Sequence, residues 1–176
     1  ETKIKRLNRV YAVLSGINAA IVRIRDRDEL FKEACRVAVE DGGFGMAWLG
    51  VVDREAMRVK PVAWQGVGPE YIQLMPVGLV DTGPEGCGLA GRVVVEGKAI
   101  VIDVMTQDKR ILLRSEARER GFRSLVMLPL IVADEVTGVL ALYAGENGFF
   151  DEGEMKLLQE LAGDISFAFD HIEKAN

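Results

Sequence analysis

The sequence predicts an α+β domain, with a central, mainly antiparallel sheet and helices at both ends of the chain. Near both ends, apolar residues recur at alternating steps of three and four, which is the period of one helix face. In the middle, short strand-like runs are joined by tight polar links, which favours antiparallel pairing. The 176 residues fit one domain, so we predict a single unit over 1–176.

The first two helices are predicted from periodicity and capping. An amphipathic helix is expected over 3–24, where the apolar positions follow helical spacing. Asp26 or Asp28 caps a second helix, because a carboxylate accepts hydrogen bonds from free backbone N–H groups at a helix start. The Gly42-Gly43 pair ends this helix, since glycine adopts a left-handed turn at low cost.

A hairpin and a long loop are predicted next. Two strand-like runs, 44–53 and 57–65, flank the polar link Arg54-Glu55-Ala56. Residues 66–88 are rich in glycine and proline, which is typical of an irregular segment. Long loops inside a domain often carry function, so we expect this loop to border any binding site.

The sequence pattern of the second half of the chain predicts three helices and three strands, two of which are expected at the centre of the sheet. The elements expected are helices at 89–96, 110–120 and 152–174, and strands at 99–104, 124–133 and 136–144. Gly97 and Gly121 end the first two of these helices, and Asp151 caps the last. The last two strands, linked by Asp134-Glu135, are almost continuously apolar, which is typical of strands covered on both faces.

The terminal helices, 1–24 and 152–176, have the seam-like spacing of helices that pair with one another. We therefore predict that they are dimerisation helices and that the chain forms a homodimer. The predicted seam residues are Leu7, Tyr11, Leu14 and Ile21 of the first helix and Leu158, Ile165, Phe169 and Ile172 of the last.

Composition and charge exclude several function classes. Hydrophobic residues make up 49% of the chain and charged residues 28%, the balance of a folded globular protein. The net charge of -5 offers no basic surface to a phosphate backbone, so we expect no nucleic-acid partner. The longest apolar run, 125–133, is far shorter than the about 20 residues of a spanning helix, so no membrane insertion is expected.

Cysteine usage indicates a reducing compartment. Cys35 and Cys87 form no disulfide framework, and no charged-then-apolar leader precedes the first helix. We therefore expect a cytoplasmic location, and the start at Glu1 is typical of a segment of a longer polypeptide. Cys35 falls on a core position of its helix, which predicts a packing role.

The sequence offers no suitably placed histidine for a metal site or a Ser-His catalytic site. His171, the only histidine, lies on the last helical turn, where we expect it to be solvated. Zinc, haem and Ser-His sites each need an imidazole, and two cysteines are too few for an iron–sulfur cluster. No acidic residues have a spacing that suggests an acid and base pair. We predict no metal, no cofactor and no catalytic residue.

The segment Gly86-Cys87-Gly88-Leu89-Ala90-Gly91 fits the pattern G-x-G-x-x-G. A dinucleotide site needs a strand before that pattern, but Gly83-Pro84-Glu85 stands there, which favours a flexible entry to a helix. An anion site on the exposed amides of this helix start remains an alternative.

The ligand-site candidates come from the first hairpin, the loops and the polar helix. Arginines recur at every fourth position of the polar helix, a spacing that aligns guanidinium groups for an anion, although interleaved glutamates favour a solvated face. Tryptophans offer flat apolar walls, and core packing is the favoured interpretation of Trp48. The candidate ligand-binding residues are Trp48, Trp64, Tyr71, Met75, Cys87, Arg92, Arg110, Arg114 and Phe122.

Taken together, the motifs over 30–169 resemble the GAF domain. The run Gly43-Phe44-Gly45-Met46-Ala47-Trp48-Leu49-Gly50-Val51-Val52-Asp53 is similar to the first strand of GAF domains found beside PAS, diguanylate cyclase, cyclic-di-GMP phosphodiesterase and histidine kinase modules. Gly88-Leu89-Ala90-Gly91-Arg92, Gly121-Phe122-Arg123-Ser124 and Phe150-Asp151-Glu152 match later blocks in order. The resemblance implies a profilin-like sheet, with the terminal helices on one face and loops plus short helices over a pocket on the other.

The resemblance also implies a function. It implies a non-catalytic sensory domain that binds an unidentified small molecule and signals through its terminal helices to an output domain in the same bacterial polypeptide. Bilin-binding families attach their chromophore through a Cys-His pair, but Gly88 follows Cys87, and no haem motif is present. The cyclic-nucleotide subgroup carries an Asn-Lys pair, but Gly148 follows Asn147.

Two alternatives to the sensory function remain open. One is an enzyme similar to the free methionine sulfoxide reductases, a branch that works through several pocket cysteines, for which this sequence offers Cys87. The other is a pocketless dimerisation spacer that transmits signals generated elsewhere.

Overall fold

The computed structural model describes residues 2–66, 68–74, 78–79, 88–103 and 119–175. The helices are α1 (Lys3–Ile21), α2 (Arg27–Glu40), α3 (Pro69–Leu74), α4 (Leu89–Glu96) and α5 (Glu152–Ala175). The strands are β1 (Met46–Asp53), β2 (Arg58–Gln65), β3 (Ile100–Asp103), β4 (Ser124–Val132) and β5 (Glu135–Ala144).

The strands form one antiparallel sheet of five strands in the order β2-β1-β5-β4-β3, which confirms the predicted α+β class. The two apolar strands, β4 and β5, lie inside the sheet, and β5 is its central strand. Both of their faces are covered, since their side chains divide between two separate buried clusters. The predicted hairpin between β1 and β2 is also present.

Three helices lie on one side of the sheet, which we call the helical face; α2 and α5 contact the strands, and α1 packs on those two helices. Helix α1 runs antiparallel to α2, and its Val13 packs at Gly42 beyond the end of α2. The same helix runs parallel to α5, because Lys3 contacts Glu154 near the start of α5 while Asn18 Nδ2 donates to Asp164 Oδ2 at 2.9 Å further along. Helix α2 packs on β1 and β2, and α5 packs on β4.

Polar contacts tie α1 to its neighbours. The Lys3 ammonium donates to Glu154, whose side chain is fully buried, and this hydrogen bond is the main reason that the pKa of Lys3 is raised. Arg9 donates from Nε to the Gly42 carbonyl at 2.7 Å and from NH1 to Glu146 Oε2 at 2.9 Å. Its guanidinium lies 4.6 Å from the ring centroid of Phe149. Arg9 therefore joins α1 to the end of α2 and to the loop after β5.

The opposite side of the sheet, which we call the outer face, carries α3, α4 and a second buried cluster. Alternation along the strands separates the two sides: on β1, Met46 and Trp48 join the outer cluster, while Ala47 and Leu49 join the helical one. The sheet therefore divides the molecule into two apolar layers.

Several predicted boundaries need correction. The β4–β5 turn is formed by Ala133 and Asp134, with φ of 51° and 64°, so Glu135 already belongs to β5. Positive φ at both positions is the geometry of a tight two-residue hairpin turn. The segment 66–88, predicted to be irregular, contains α3. Most of the predicted helix at 110–120 lies outside the described residues.

The predicted dimer seam on the last helix is corrected by burial within the chain itself. Leu158, Ile165, Phe169 and Ile172 are at most 7% exposed and pack in the core beneath the helices. These four side chains therefore lack the exposed surface that contact with a second copy needs. On α1, Leu7, Leu14 and Ile21 are half-buried, and Tyr11 is 55% exposed.

None of the helices in the described part of the chain combines the length and the apolar character needed to cross a lipid bilayer.

Candidate functional site

Four aromatic side chains meet on the outer face of the sheet, and we call them the aromatic cluster. They are Trp48 of β1, Tyr71 of α3, Phe122 just before β4 and Tyr143 of β5. Each is at most 4% exposed. The Phe122 ring centroid lies 5.2 Å from that of Tyr143 and 6.4 Å from that of Tyr71. Three elements of the outer face and the segment leading into β4 thus converge on one buried layer.

Strand pairing explains why these rings meet. Met46 lies opposite Tyr143 in the β1–β5 register, so Tyr143 and Trp48 point to the same side of the sheet two positions apart. Phe122 packs where Gly45 has no side chain, since a Cβ at Gly45 would lie 2.7 Å from a Phe122 ring carbon. The absence of a side chain at Gly45 thus makes room for the Phe122 ring in the cluster.

Trp48 carries an unusual polar group within this layer. Its side chain is fully buried, and its indole Nε1 has no hydrogen-bond partner. Burial raises the pKa of the Tyr143 hydroxyl well above its ordinary value, Tyr71 adds to the rise, and the nearby Trp48 indole opposes it. The indole thus lies near the Tyr143 hydroxyl, but the two groups do not reach hydrogen-bond geometry. A buried donor without an acceptor is rare and calls for an explanation.

Tyr71 closes the cluster on the side of α3. The Arg120 guanidinium lies 4.5 Å from the Tyr71 ring centroid, over the ring face, and Arg120 itself is exposed. Such a cation–π contact fixes the ring from outside. Tyr71 therefore lies between solvent-exposed Arg120 and the buried Phe122.

The structure brings together three of the nine predicted ligand residues: Trp48, Tyr71 and Phe122. Arg92 lies half-buried on α4, and its Nε is buried without a hydrogen-bond partner. Trp64, on the edge strand β2, is 37% exposed and lines a different groove. The remaining four, Met75, Cys87, Arg110 and Arg114, lie outside the described residues.

Tyr143 and Arg120 were not predicted as site residues. Tyr143 lies next to the end of an apolar strand, where an aromatic residue is ordinary, and the register against β1 shows which face it occupies. The signal that could have identified it is its position two residues after Ala141, because residues two apart on a strand share a face and Ala141 lies opposite Trp48. Arg120 gives no signal in sequence that separates it from its charged neighbours.

Three grooves lie away from the aromatic cluster. A groove of about 590 Å³ lies between α2 and the β2 edge, and its lining includes Arg36, which pairs with Glu33 and Glu40. Grooves of about 470 Å³ and 630 Å³ border the end and the middle of α5. Within the ranges that the structure describes, no three His, Cys, Asp or Glu side chains are grouped to hold a metal ion.

Cys35 has the packing role that its helix position predicts, because its side chain is fully buried under the helical face. Burial raises the pKa of its thiol to about 12, opposed by a hydrogen bond with the Leu49 backbone. Since the thiolate is the reactive form, we expect iodoacetamide at pH 8 to leave Cys35 unmodified in the folded protein.

Mass spectrometry of a Cys87→Ser variant tests the inertness of Cys35, because that variant keeps Cys35 as its single thiol. The thiol is expected to react fully in concentrated urea, which serves as the positive control. Stoichiometric labelling without denaturant would contradict the burial of Cys35.

The fold of this chain is similar to the folds of several solved structures. The chain is similar to a free methionine-R-sulfoxide reductase from Neisseria meningitidis in complex with its substrate, with 21% identity and a TM-score of 0.76, covering 95% of this chain and 92% of that chain. It is also similar to the GAF domain of a phosphoenolpyruvate-protein phosphotransferase from Coxiella burnetii, with 18% identity, a TM-score of 0.78 and 97% of each chain covered.

A segment of a methyl-accepting chemotaxis protein is similar at 18% identity, with a TM-score of 0.70, covering 91% of this chain and 98% of that chain. At these identities the likeness establishes the fold alone. No curated protein sequence matches the chain. The family model of the GAF domain, however, matches residues 24–170, which is most of the sequence. The chain therefore belongs to the GAF domain family.

Proposed function

We propose that this GAF domain is a sensory input domain that binds a small molecule at the aromatic cluster. The observation that carries the proposal is the fully buried Trp48 indole N–H, which has no partner inside a layer of aromatic rings. Ligand sites are mostly apolar, with a few polar groups that fix orientation, and this layer has that composition. GAF domains of a phosphotransferase and a segment of a chemotaxis protein share the fold.

Occupancy of the site is proposed to act on the terminal helices. Trp48 and Leu49 are neighbours on β1, but Trp48 faces the aromatic cluster and Leu49 faces the helices. A ligand that shifts β1 therefore biases the packing of α2 and of the helices beside it. The recipient is an output domain of the same polypeptide, of the diguanylate cyclase, phosphodiesterase or histidine kinase kind that accompanies similar GAF domains.

A thermal-shift screen tests the binding proposal. Small-molecule fractions of a bacterial extract are added to the wild-type protein and to a Trp48→Phe variant. A ligand that binds only the native state raises apparent stability by mass action, so at least one fraction is expected to raise the Tm of the wild type and to raise that of the variant less. If no fraction raises the Tm, the pocketless spacer is favoured instead.

We also propose that the domain is a homodimer, through a surface that shares only Tyr11 with the predicted seam. Large apolar side chains are exposed on the outer sides of α1 and α5: Ile4 and Val22 at 71%, Tyr11 at 55% and Phe167 at 75%. Phe167 stacks on His171, which is exposed as expected. Large apolar side chains exposed on two helices that pack side by side favour an interaction surface there.

Sedimentation velocity tests the dimer. The wild type is expected to sediment as a dimer at micromolar concentration, and Phe167→Glu is expected to sediment as a monomer, because the charge would be buried at the interface. Val101→Glu, at a 40% exposed position on the edge strand β3, is the matched control and should leave the dimer intact. A monomeric wild type, or equal effects of both substitutions, would refute this surface.

Free methionine sulfoxide reduction is the second candidate function, and the similarity to such reductases favours it. It requires a reactive thiol, and Cys35 is buried on the other side of the sheet, so Cys87 would have to supply it. With free methionine-R-sulfoxide as substrate and dithiothreitol as reductant, we expect no turnover. Turnover that disappears in Cys87→Ser would establish the enzyme instead.

A further inference from the structure

The chemistry of the outer layer narrows the class of ligand, and this step rests on the proposed sensory function. The Trp48 indole is a hydrogen-bond donor only, since its nitrogen has no lone pair to accept with. It is fully buried and unpartnered. The group that satisfies it must therefore be a hydrogen-bond acceptor, such as the oxygen of a carbonyl group.

The surroundings of Trp48 also select against charge. The buried members of the outer layer are all uncharged, and they are Met46, Trp48, Val59, Tyr71, Ile72, Leu79, Leu89, Ala90, Val93, Val94, Ile100, Ile102, Phe122, Leu125, Met127, Val136, Val139, Ala141 and Tyr143. An ion in such a layer loses its hydration without gaining a counter-ion, which is strongly unfavourable. A neutral acceptor avoids that cost.

Two arginines lie near this layer but do not belong to its buried set. Arg120 lies on the solvent side of the Tyr71 ring and is exposed. Arg92 is half-buried on α4, and among the described residues its unpartnered Nε is the feature that favours an anionic ligand. A neutral probe and an anionic probe of the same size therefore separate the two possibilities.

We infer that the ligand at the aromatic cluster is an uncharged, largely apolar or aromatic molecule that presents a hydrogen-bond acceptor to the Trp48 indole N–H. The rings of Tyr71, Phe122 and Tyr143 provide the flat apolar contacts that suit an aromatic skeleton. The Trp48 donor fixes the direction in which the acceptor points.

Proton–nitrogen correlation spectra of the full chain test the inference with three probes of nearly equal size. Acetophenone is neutral with one acceptor, ethylbenzene is neutral with none, and benzoate is anionic. The chain has two tryptophans, so a Trp64→Phe variant leaves the Trp48 indole resonance alone in its region. An acceptor bound to that N–H moves its proton resonance downfield.

Acetophenone is expected to shift the Trp48 indole proton downfield and to saturate. Ethylbenzene is expected to bind about three- to tenfold more weakly without the downfield shift, which is the effect of one net hydrogen bond. Benzoate should bind at least roughly 100-fold more weakly, because its charge is desolvated. In a Trp48→Phe variant, followed by equilibrium dialysis, acetophenone and ethylbenzene should bind about equally.

Two outcomes would overturn the inference. If benzoate binds as tightly as acetophenone, the ligand class is wrong while a binding site on this face stands. If no probe moves the Trp48 resonance, the indole is not a ligand contact. The thermal-shift screen then decides the sensory function independently, because its extract fractions contain ligands of every charge.

Discussion

Replacing Gly66 by alanine is expected to destabilise the fold by roughly 3–5 kcal/mol, because left-handed strain and overpacking add together. Gly66 has a φ of +98°, and a Cβ there would lie 2.3 Å from the Gly45 carbonyl oxygen and 3.0 Å from the Met46 Cα. Both obstacles are backbone atoms at the start of β1, so no side-chain rotation relieves the clash. Urea denaturation of the purified variant measures the loss.

Gly97→Ala is the matched control for the clash at Gly66. Gly97 also has a left-handed φ, of +68°, but nothing lies within 4 Å of a Cβ at that position. Its substitution should therefore cost only the backbone strain, about 1 kcal/mol. Equal losses at the two glycines would mean that β1 and the end of β2 do not approach each other as described.

Replacing Arg9 by methionine is expected to cost about 2–4 kcal/mol in the free energy of unfolding. The substitution removes the hydrogen bonds to the Gly42 carbonyl and to Glu146, and a further one to the Gly43 carbonyl at 2.9 Å. It also removes the cation over the Phe149 ring. The Arg9 side chain is 16% exposed, so water replaces few of these contacts.

Arg36→Met provides the comparison for Arg9 with the same change of residue type. Arg36 pairs with Glu33 and Glu40 along α2, but its side chain is 43% exposed. Exposed ion pairs of this kind contribute little, so we expect a loss of at most about 1 kcal/mol. An Arg36 variant as unstable as the Arg9 variant would show that partner number, and not burial, sets the effect.

Local signals in the sequence predicted most of the sheet and its flanking helices. Helix α4 was predicted with its observed bounds, because Gly97 ends it in a left-handed conformation that the glycine was expected to supply. The two central strands were recognised by their continuous apolar character. Helix α3 was missed, since a helix of six residues that begins with Pro69 looks like a turn in a glycine-rich segment.

The predicted dimer seam shows that the periodicity of apolar residues does not identify the surface that covers a helix face. Spacing of three and four identifies the apolar side of α5, but it does not say what covers that side. Leu158 and Ile165 are covered by the sheet of the same chain, while Phe167, which belongs to no predicted seam, is exposed. A helix that packs on its own sheet and a helix that pairs with a second copy have the same spacing.

The candidate site was predicted in part for a similar reason. Trp48, Tyr71 and Phe122 were selected because aromatic residues in a hairpin or beside a loop favour a ligand wall. Tyr143 comes from a distant part of the sequence, and its place beside them depends on the pairing of β5 with β1. Contacts that depend on long-range strand pairing cannot be predicted from the residues next to them in the sequence.

Strand β1 separates the two buried layers by the thickness of one peptide backbone. Consecutive side chains point to opposite sides of the sheet, so Trp48 and Leu49 are joined by one peptide bond although, among the described residues, they belong to two separate buried clusters. Interiors packed as densely as crystals yield little to pressure. We therefore expect a tilt of the Trp48 indole to displace the β1 backbone and, with it, the Leu49 side chain that packs against the helices. No series of side-chain contacts is needed between the two.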